Sequence, residues 1–227
     1  MTDLPLTTVE IAPTGSVRSS VIWMHGLGAD AHDFEPIVPE LRLPEALGVR
    51  FVFPNAPIRP VTINNGMRMR AWYDVLSLDL PRQEDPEGVY ASERAIYALL
   101  EREKQRGVSA DRIVLAGFSQ GGAMALHTGL RYPERLAGIL ALSCYLPLAS
   151  RLNSERRTAN QATPIFMAHG DYDAVIPMRY GQQSAEALEG LGYLVEWSDY
   201  GMGHEVCFQE IRDIAAWLQR VLAAPAA

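Results

Sequence analysis

Cysteine and long apolar runs are the features that this sequence of 227 residues has least of. Its 2 cysteines, Cys144 and Cys207, are too few for a disulfide framework and are not spaced like metal ligands. We favour packing roles for both over a role as catalytic nucleophile, since a buried packing cysteine is the commoner case. Two unpaired thiols also suit a reducing compartment. No stretch approaches the roughly 18 apolar residues of a membrane span, and the first residues lack a secretory signal pattern. These absences predict a cytoplasmic protein without stable membrane insertion.

Positive charge is also scarce, with 20 lysines and arginines against 27 aspartates and glutamates. The formal net charge is therefore −7 at pH 7. Such a surface offers no general attraction for phosphate backbones, so nucleic-acid binding is not expected. Apolar residues make up 48% of the chain, which is enough for one hydrophobic core. Because the sequence shows no internal repeat and no linker, residues 1–227 are predicted to form a single domain.

Short apolar runs that end in glycine, proline or asparagine alternate with longer segments patterned at helical spacing. This alternation predicts an α/β fold with a mostly parallel central sheet flanked by helices. The predicted strands are 6–11 at the sheet edge, then 20–24, 50–53, 112–116, 138–143, 164–168 and 194–198. The predicted helices are 34–42, 92–106, 120–131, 179–191 and 205–222. The proline-rich region 55–85 is predicted to be an irregular excursion, which serves either a substrate site or a structural connection.

The strongest local signal is a nucleophile elbow, in which a serine between two spaced glycines joins an apolar strand to a helix. Residues 112–122 read RIVLAGFSQGG, with Ser119 between Gly117 and Gly121. The turn strains the serine backbone, and side chains two positions away would collide with neighbouring backbone. We therefore predict that Ser119 is an exposed nucleophile. The alternative is a glycine-rich turn that only packs a helix closely on the sheet.

An acyl-transfer site also needs backbone donors for the negatively charged oxygen that forms in the transition state. The predicted helix after the elbow offers the amide of Gln120 at its N-terminus. The sequence HGLG at 25–28 follows the predicted strand 20–24 and offers the amide of Leu27. Glycine on both sides allows the chain to turn this amide inward. We predict that these two amides form the oxyanion hole.

The general base is expected to be one of the five histidines, which are His25, His32, His127, His169 and His204. Where the nucleophile stands on a strand-to-helix elbow of this kind, the order along the chain is serine, acid and then histidine, and this order favours His204. Its sequence, GMGH at 201–204, follows the last predicted strand, and the two glycines allow the loop to aim the imidazole. We expect His32 on the surface and structural roles for the other three.

The acid that orients His204 is predicted to be Asp171 or Asp173, both in the loop after the predicted strand 164–168. Active sites of parallel sheets gather at the carboxyl ends of strands, and the later residue reaches further toward a histidine from the next loop. Asp171 follows a glycine and is expected to accept hydrogen bonds from the amides of its own turn. Local chemistry thus favours Asp173 and leaves Asp171 open.

Five motifs together resemble the carboxylesterase and acyl-protein thioesterase (lysophospholipase-like) family of α/β-hydrolases, most closely its bacterial carboxylesterases. They are HGLG at 25–28, RAWYD at 70–74, GFSQGG at 117–122, HGDYD at 169–173 with VIP at 175–177, and MGH at 202–204. The match spans nearly the whole chain, with the motifs in the family's order. The resemblance implies the α/β-hydrolase fold without a large cap domain, no metal or organic cofactor, and hydrolysis of acyl esters.

The resemblance also implies roles for individual residues. It assigns a catalytic triad and two oxyanion-hole amides to Ser119, Asp173, His204, Leu27 and Gln120. It further implies an acyl groove lined by Trp72, Leu76 and Tyr145. The family's small-molecule substrates are acyl esters and thioesters.

These residues predict a serine carboxylesterase that hydrolyses short- to medium-chain carboxylic esters through an acyl-serine intermediate. An acyl-protein thioesterase or lysophospholipase with the same triad is the alternative, because the same machinery cleaves oxygen and sulfur esters. A non-catalytic binding protein on this fold is disfavoured, since no member of the triad is missing. Apolar residues expected around the groove leave a weak homodimer open.

Overall fold

A seven-stranded sheet runs through the computed structural model, which describes residues 5–77 and 83–223 of the chain. In chain order the strands are β1 (Thr8–Ile11), β2 (Ser19–Met24), β3 (Val49–Pro54), β4 (Ile58–Val61), β5 (Met67–Arg70), β6 (Ile113–Phe118), β7 (Gly138–Leu142), β8 (Ile165–Gly170) and β9 (Val195–Tyr200). The sheet has the order β1-β3-β2-β6-β7-β8-β9, while β4 and β5 form a separate hairpin. Strand β1 pairs antiparallel with β3, and the other neighbours in the large sheet are parallel. The predicted mostly parallel sheet is confirmed.

Helices cover both faces of this sheet. The described residues form α1 (Ile37–Leu41), α2 (Pro86–Gln105), α3 (Gln120–Arg131), α4 (Ala149–Glu155), α5 (Met178–Gly190) and α6 (Phe208–Ala223). Helices α2 to α5 contribute to the hydrophobic core on one face, and α1 and α6 contribute to the core on the other. The described residues include no cap domain over the sheet, and no helix among them is long and apolar enough to span a membrane.

The two cores explain why the central strands are apolar along their whole length. In β2, Ile22 and Met24 belong to the core under α2 and α3, whereas Val21 and Trp23 belong to the core under α1 and α6. Successive side chains of a strand point to opposite faces, so a strand covered on both sides needs apolar residues at every position. All of β2, β3, β7 and β8 is buried for this reason.

Several predicted boundaries are wrong, and α2 shows the physical reason most clearly. This helix begins at Pro86, six residues before the predicted start at residue 92. The carboxylate of Asp85 accepts a hydrogen bond from the Gly88 amide at 2.9 Å, and Pro86 takes the first helical position. An aspartate cap followed by proline is a helix start signal, and it precedes the apolar stripe that set the predicted boundary.

The irregular excursion predicted at 55–85 contains the hairpin of β4 and β5, and its residues 78–82 lie outside the described residues. The hairpin lies beside the loop at 25–28, because the Gly28 amide donates to the Arg70 carbonyl at 2.9 Å. Gly28 has a φ of 79°, in the left-handed region that favours glycine. Asp74 closes the base of the excursion by accepting hydrogen bonds from the Thr62 amide at 2.7 Å and hydroxyl at 2.6 Å. The described part of the excursion therefore forms a wall beside the loop that follows β2.

Candidate active site

Ser119 stands on the sharp turn between β6 and α3, with a φ of 56° and a ψ of −121°. The glycines on either side are required by close backbone contacts. A Cβ atom on Gly117 would lie 2.2 Å from the carbonyl carbon of Gly121, and one on Gly121 would lie 2.2 Å from the Met24 oxygen. These neighbours are backbone atoms of β2 and α3 and cannot move aside locally. The elbow geometry predicted from the sequence is present, and it holds the serine in a conformation that few residues adopt.

A chain of hydrogen bonds links Ser119 to His204 and Asp173. The Oγ atom of Ser119 lies 2.9 Å from Nε2 of His204, and Nδ1 of His204 lies 2.7 Å from Oδ2 of Asp173. A carboxylate oxygen only accepts hydrogen bonds, so Nδ1 carries the proton and the Nε2 lone pair faces the serine hydroxyl. This is the tautomer that a general base requires.

Asp173 is held in this orientation by its own turn. Its Oδ1 accepts hydrogen bonds from the amides of Val175 and Ile176, both at 2.8 Å. Asp171 was expected to accept the amides of the turn, and that expectation is wrong. Its side chain is exposed, and its carboxylate has no hydrogen bond within the described ranges. Its backbone amide continues the pairing of β8 with β9 by donating to the Tyr200 carbonyl at 2.8 Å.

The amides of Leu27 and Gln120 border the same cavity as Ser119. Gln120 is the first residue of α3, where a helical amide has no acceptor in its own helix. The Leu27 amide has no acceptor within the part of the chain that the structure describes. The side chain of Gln120 is engaged elsewhere, since it accepts from the Trp72 amide at 2.8 Å and donates to the Tyr73 carbonyl at 2.7 Å. Both backbone amides are thus available to a ligand oxygen.

His25 has a structural role, as expected. Its Nδ1 donates to the Gly26 carbonyl at 2.7 Å and its Nε2 accepts from the Ala56 amide at 3.1 Å. Burial lowers the pKa of this imidazole, which favours the neutral form that these two bonds need. His25 therefore fixes the loop at 25–28 against the first residues of the excursion, after β3.

The other histidines lie outside the Ser119 cavity. His32 is exposed and contacts Glu35 at 2.7 Å, as expected of a surface residue. His127 is fully buried in α3 and lies 3.6 Å from a Glu93 oxygen, and burial lowers its pKa. His169 lies within β8, where it was predicted to anchor a loop, and it contacts the loop that carries Asp173.

An apolar cavity of about 270 Å³ opens beside Ser119. Its apolar and aromatic lining is contributed mainly by the excursion and by the loops after β7 and β8: Ile63, Tyr73, Val75, Tyr145, Val175 and Ile176. A second cavity of about 220 Å³ lies beyond Tyr145, which lines both. The Tyr145 hydroxyl is 3.0 Å from that of Tyr73, so this hydrogen-bonded pair stands at the boundary between the cavities.

Two of the three predicted groove residues do not line the cavity beside Ser119. Trp72 is fully buried and its indole N–H donates to the His25 carbonyl at 2.9 Å, while Leu76 is half-buried and lies outside the lining. The neighbouring Tyr73 and Val75 face the cavity instead. Every second residue of 72–76 thus lines the cavity, and the predicted assignment was out of phase by one residue. That alternation is the signal that could have identified Tyr73 and Val75.

No cluster of three or more histidine, cysteine, aspartate or glutamate side chains that could hold a metal ion occurs in residues 5–77 and 83–223. Cys144 is buried against Gly122 behind the elbow, and burial raises the pKa of its thiol. A thiol with a raised pKa is a poor nucleophile at neutral pH. The packing role expected for Cys144 agrees with this environment.

Comparison with known proteins gives concordant matches along almost the whole chain. The family model described as Phospholipase/Carboxylesterase matches residues 7–222. Acyl-protein thioesterase 1 of Neurospora crassa is 41% identical over 209 residues, which cover 88% of this chain and 85% of that protein. The crystal structure of Arabidopsis thaliana SOBER1 has a TM-score of 0.86 and 32% identity, covering 91% of this chain and 100% of that chain. The crystal structure of Zea mays acyl-protein thioesterase 2 has a TM-score of 0.84 and 28% identity, covering 95% and 99%.

Proposed function

Because the chain belongs to the phospholipase/carboxylesterase family of α/β-hydrolases, we propose that Ser119, His204 and Asp173 act as its catalytic triad. The chain is a serine hydrolase that acts on carboxylic esters or thioesters. The observation that carries the proposed triad is the unbroken hydrogen-bond chain from the elbow serine to a buried carboxylate, beside an apolar cavity. The side chains of these three residues are spaced as acyl transfer requires, which supports the proposal.

The acylation half of the reaction begins with proton transfer from Ser119 to Nε2 of His204. The serine oxygen attacks the carbonyl carbon of the substrate, and the amides of Leu27 and Gln120 bind the oxygen that becomes negatively charged. The imidazolium formed on His204 is stabilised by Asp173. It then protonates the leaving alcohol or thiol, which departs and leaves an acyl group on the serine.

The deacylation half repeats these steps with water as nucleophile. Nε2 of His204 removes a proton from the water, which attacks the acyl-serine carbonyl, and the same two amides bind the negatively charged oxygen. His204 returns the proton to Ser119 as the carboxylic acid leaves. Ser119 is buried, with 7% exposure, and is not the exposed residue that the sequence predicts, so water reaches the intermediate through the cavity that Ser119 lines.

The cavity supports a preference for short- to medium-chain acyl groups. Its volume of about 270 Å³ and its apolar lining suit a chain of limited length, and the hydrogen-bonded Tyr73 and Tyr145 belong to that lining. Acyl-protein thioesterase activity is the second candidate, because the curated relative in Neurospora crassa carries that name. The triad and the two amides would serve either leaving group.

A substrate panel tests the proposed function. We expect the purified protein to hydrolyse p-nitrophenyl butyrate and hexanoate with a higher kcat/KM than the palmitate ester, and Ser119→Ala to lose activity on all of them. Acyl thioesters of the same chain lengths, measured in parallel, separate the two candidates. Equal activity of the wild type and Ser119→Ala would overturn the proposal, and a preference for long-chain thioesters over every oxygen ester would favour the thioesterase.

We also propose a single domain, a cytoplasmic location and a weak homodimer. The large sheet connects residues from β1 to β9, which supports one domain. The two cysteines are free thiols, which suits the cytoplasm.

The weak homodimer is supported by exposed apolar surface. Tyr172 and Val175, in the loop after β8, are 75% and 56% exposed, and such apolar surface favours self-association. Light scattering at rising concentration tests the dimer, and a monomer mass throughout would dismiss it.

A further inference from the structure

His169 is a second imidazole at the carboxylate of the proposed triad. It is fully buried in β8, and its Nε2 lies 2.7 Å from the Ile176 carbonyl oxygen and 3.3 Å from Oδ2 of Asp173. Both oxygens are acceptors, so Nε2 carries the proton. It donates this proton to the Ile176 carbonyl, while Oδ2 of Asp173 lies in electrostatic contact with the same N–H group. The same Oδ2 atom accepts the hydrogen bond from His204. Two imidazoles therefore share one carboxylate oxygen.

Packing fixes the ring of His169 in this orientation. The ring stacks on Trp197 of β9, with centroids 6.2 Å apart and an angle of 19° between the planes. Gly181 of α5 lies against Nδ1, where an added Cβ atom would approach to 2.5 Å. Nδ1 itself has no hydrogen-bond partner in the described part of the chain. The ring of His169 therefore hydrogen-bonds through Nε2. Helix α5 needs a glycine at position 181 to leave space for the ring.

His169 also acts on the second oxygen of Asp173. The Ile176 amide donates to Oδ1 at 2.8 Å, and the carbonyl of the same residue accepts the bond from His169. The imidazole therefore contacts the carboxylate at Oδ2 and, through the Ile176 carbonyl, holds in place a residue that binds Oδ1. Without His169, the carboxylate would lose the N–H group beside Oδ2, and the turn that orients it would lose the hydrogen bond to the Ile176 carbonyl.

We propose that His169 is a positioning residue, which acts through Asp173 to keep Oδ2 directed at Nδ1 of His204. This inference rests on the proposed roles of Ser119, His204 and Asp173. Burial is the main reason that the pKa of His169 is lowered, so the ring remains a neutral donor at neutral pH. The charge of Asp173 then stays available to the imidazolium that forms on His204 during the reaction.

Two substitutions at His169 separate positioning from packing. His169→Phe keeps an aromatic ring and removes the donor, whereas His169→Gln keeps an N–H donor close to the position of Nε2. We expect His169→Phe to lower kcat by about 10- to 100-fold with little change in KM, because slight misplacement of a catalytic group has effects of this size. His169→Gln should recover most of the loss. The matched control is His127→Phe, which replaces an equally buried histidine in α3 and should leave kcat unchanged.

A second pair of variants tests the same role from α5. Gly181→Ala places a methyl group against Nδ1 of His169, whereas Gly190→Ala in the same helix has no heavy atom within 4 Å. We expect Gly181→Ala to reproduce the loss of kcat and Gly190→Ala to behave like the wild type. The downfield proton resonance of the His204–Asp173 hydrogen bond should shift or broaden in Gly181→Ala and in His169→Phe, and should persist in His169→Gln and Gly190→Ala.

The outcomes distinguish this inference from the proposed function. Ser119→Ala is the reference: if it keeps wild-type activity, the proposed triad fails and the positioning role fails with it. If Ser119→Ala is inactive but His169→Phe and Gly181→Ala keep kcat within about twofold of the wild type, only the positioning role is overturned. A His169→Gln variant that folds and is as impaired as His169→Phe also overturns it. If His169→Phe does not fold, the two glycine variants decide by the same criteria.

Discussion

At the scale of single residues, Asp173 and Asp171 show how two aspartates in one loop come to have different environments. Asp173 is 7% exposed and each of its oxygens accepts hydrogen bonds, whereas Asp171 is exposed. A buried carboxylate beside an imidazole stabilises the imidazolium and fixes its tautomer, which an exposed carboxylate two residues away cannot do. The residue type and the spacing alone do not separate the two.

We therefore predict that Asp173→Asn lowers kcat by about 10²- to 10⁴-fold, because the imidazolium on His204 loses its support. Asp171→Asn is the matched control and should change neither kcat nor the melting temperature appreciably, since its side chain is exposed. Steady-state kinetics and thermal melts of both variants give the answer. A catalytically dead Asp171→Asn that melts like the wild type would reverse the assignment.

Tyr145 is the residue from which we expect a change in substrate range. It lines both the cavity beside Ser119 and the second cavity of about 220 Å³, and its hydroxyl contacts that of Tyr73. Tyr145→Ala should merge the two cavities and move the kcat/KM optimum toward longer acyl chains, while activity on acetate esters stays similar. Tyr145→Phe keeps the ring and should keep the wild-type optimum. An unchanged chain-length profile in Tyr145→Ala would show that the ring does not limit the chain.

At the scale of elements, strands buried on both faces were predictable and short exposed elements were not. β2, β7 and β8 are near-continuous apolar runs, and this pattern follows directly from helices on both faces of the sheet. The hairpin of β4 and β5 was missed because its strands have 4 residues each, one of them contains a proline, and most of their side chains are not buried. The 7-residue α4 was missed as well, since it spans too few turns to show helical periodicity.

The candidate site likewise has parts that were predictable from the sequence and parts that were not. The elbow serine and the loop at 25–28 were predictable, because each needs glycines at fixed positions for steric reasons that the sequence records. The late histidine was predictable from its place in the chain order, since added Cβ atoms on Gly201 and Gly203 would meet no atom closer than 4.0 Å. The cavity lining and the contact of His169 with Asp173 were not, because they depend on how separate loops meet. The phase of residues 72–76 is the one part of the lining that local alternation could have indicated.

The first turn of α6 contains a buried carboxyl group whose ionisation makes the free energy of unfolding depend on pH. Glu210 is fully buried, and burial, together with the charge of Asp213, raises its pKa to about 8. A carboxyl whose pKa is higher in the folded chain binds more protons when folded. The free energy of unfolding therefore falls as pH rises from the ordinary pKa of 4.5 through the folded value of about 8.

We predict that Glu210→Gln, which cannot ionise, melts close to the wild type near pH 4 and above it near pH 9, with the difference growing between these limits. Glu189→Gln, at an exposed position of α5, is the control and should give no such divergence. Thermal melts across this pH range measure the effect. A difference between Glu210→Gln and the wild type that is constant with pH would contradict the ionisation of a buried Glu210.

At the scale of the whole molecule, the site is assembled by the strand order of the sheet. Ser119 follows β6, Asp173 follows β8 and His204 follows β9, while the loop with Leu27 follows β2 next to β6. Parallel strands end at the same edge of a sheet, so residues more than 80 positions apart, such as Ser119 and His204, meet within hydrogen-bond distance. The proposed reactive serine therefore lies at the carboxyl edge of the large sheet, directly after β6.

Covalent labelling by a fluorophosphonate tests this central claim most directly, because the reagent reacts only with a serine that has been activated by a base. We predict that the wild type gains one adduct, which peptide mapping assigns to Ser119, and that Ser119→Ala gains none. His204→Ala should label slower by about 10³-fold or more, since the hydroxyl loses its base. An adduct formed at the wild-type rate on Ser119→Ala, or mapped in the wild type to another residue, would contradict the account.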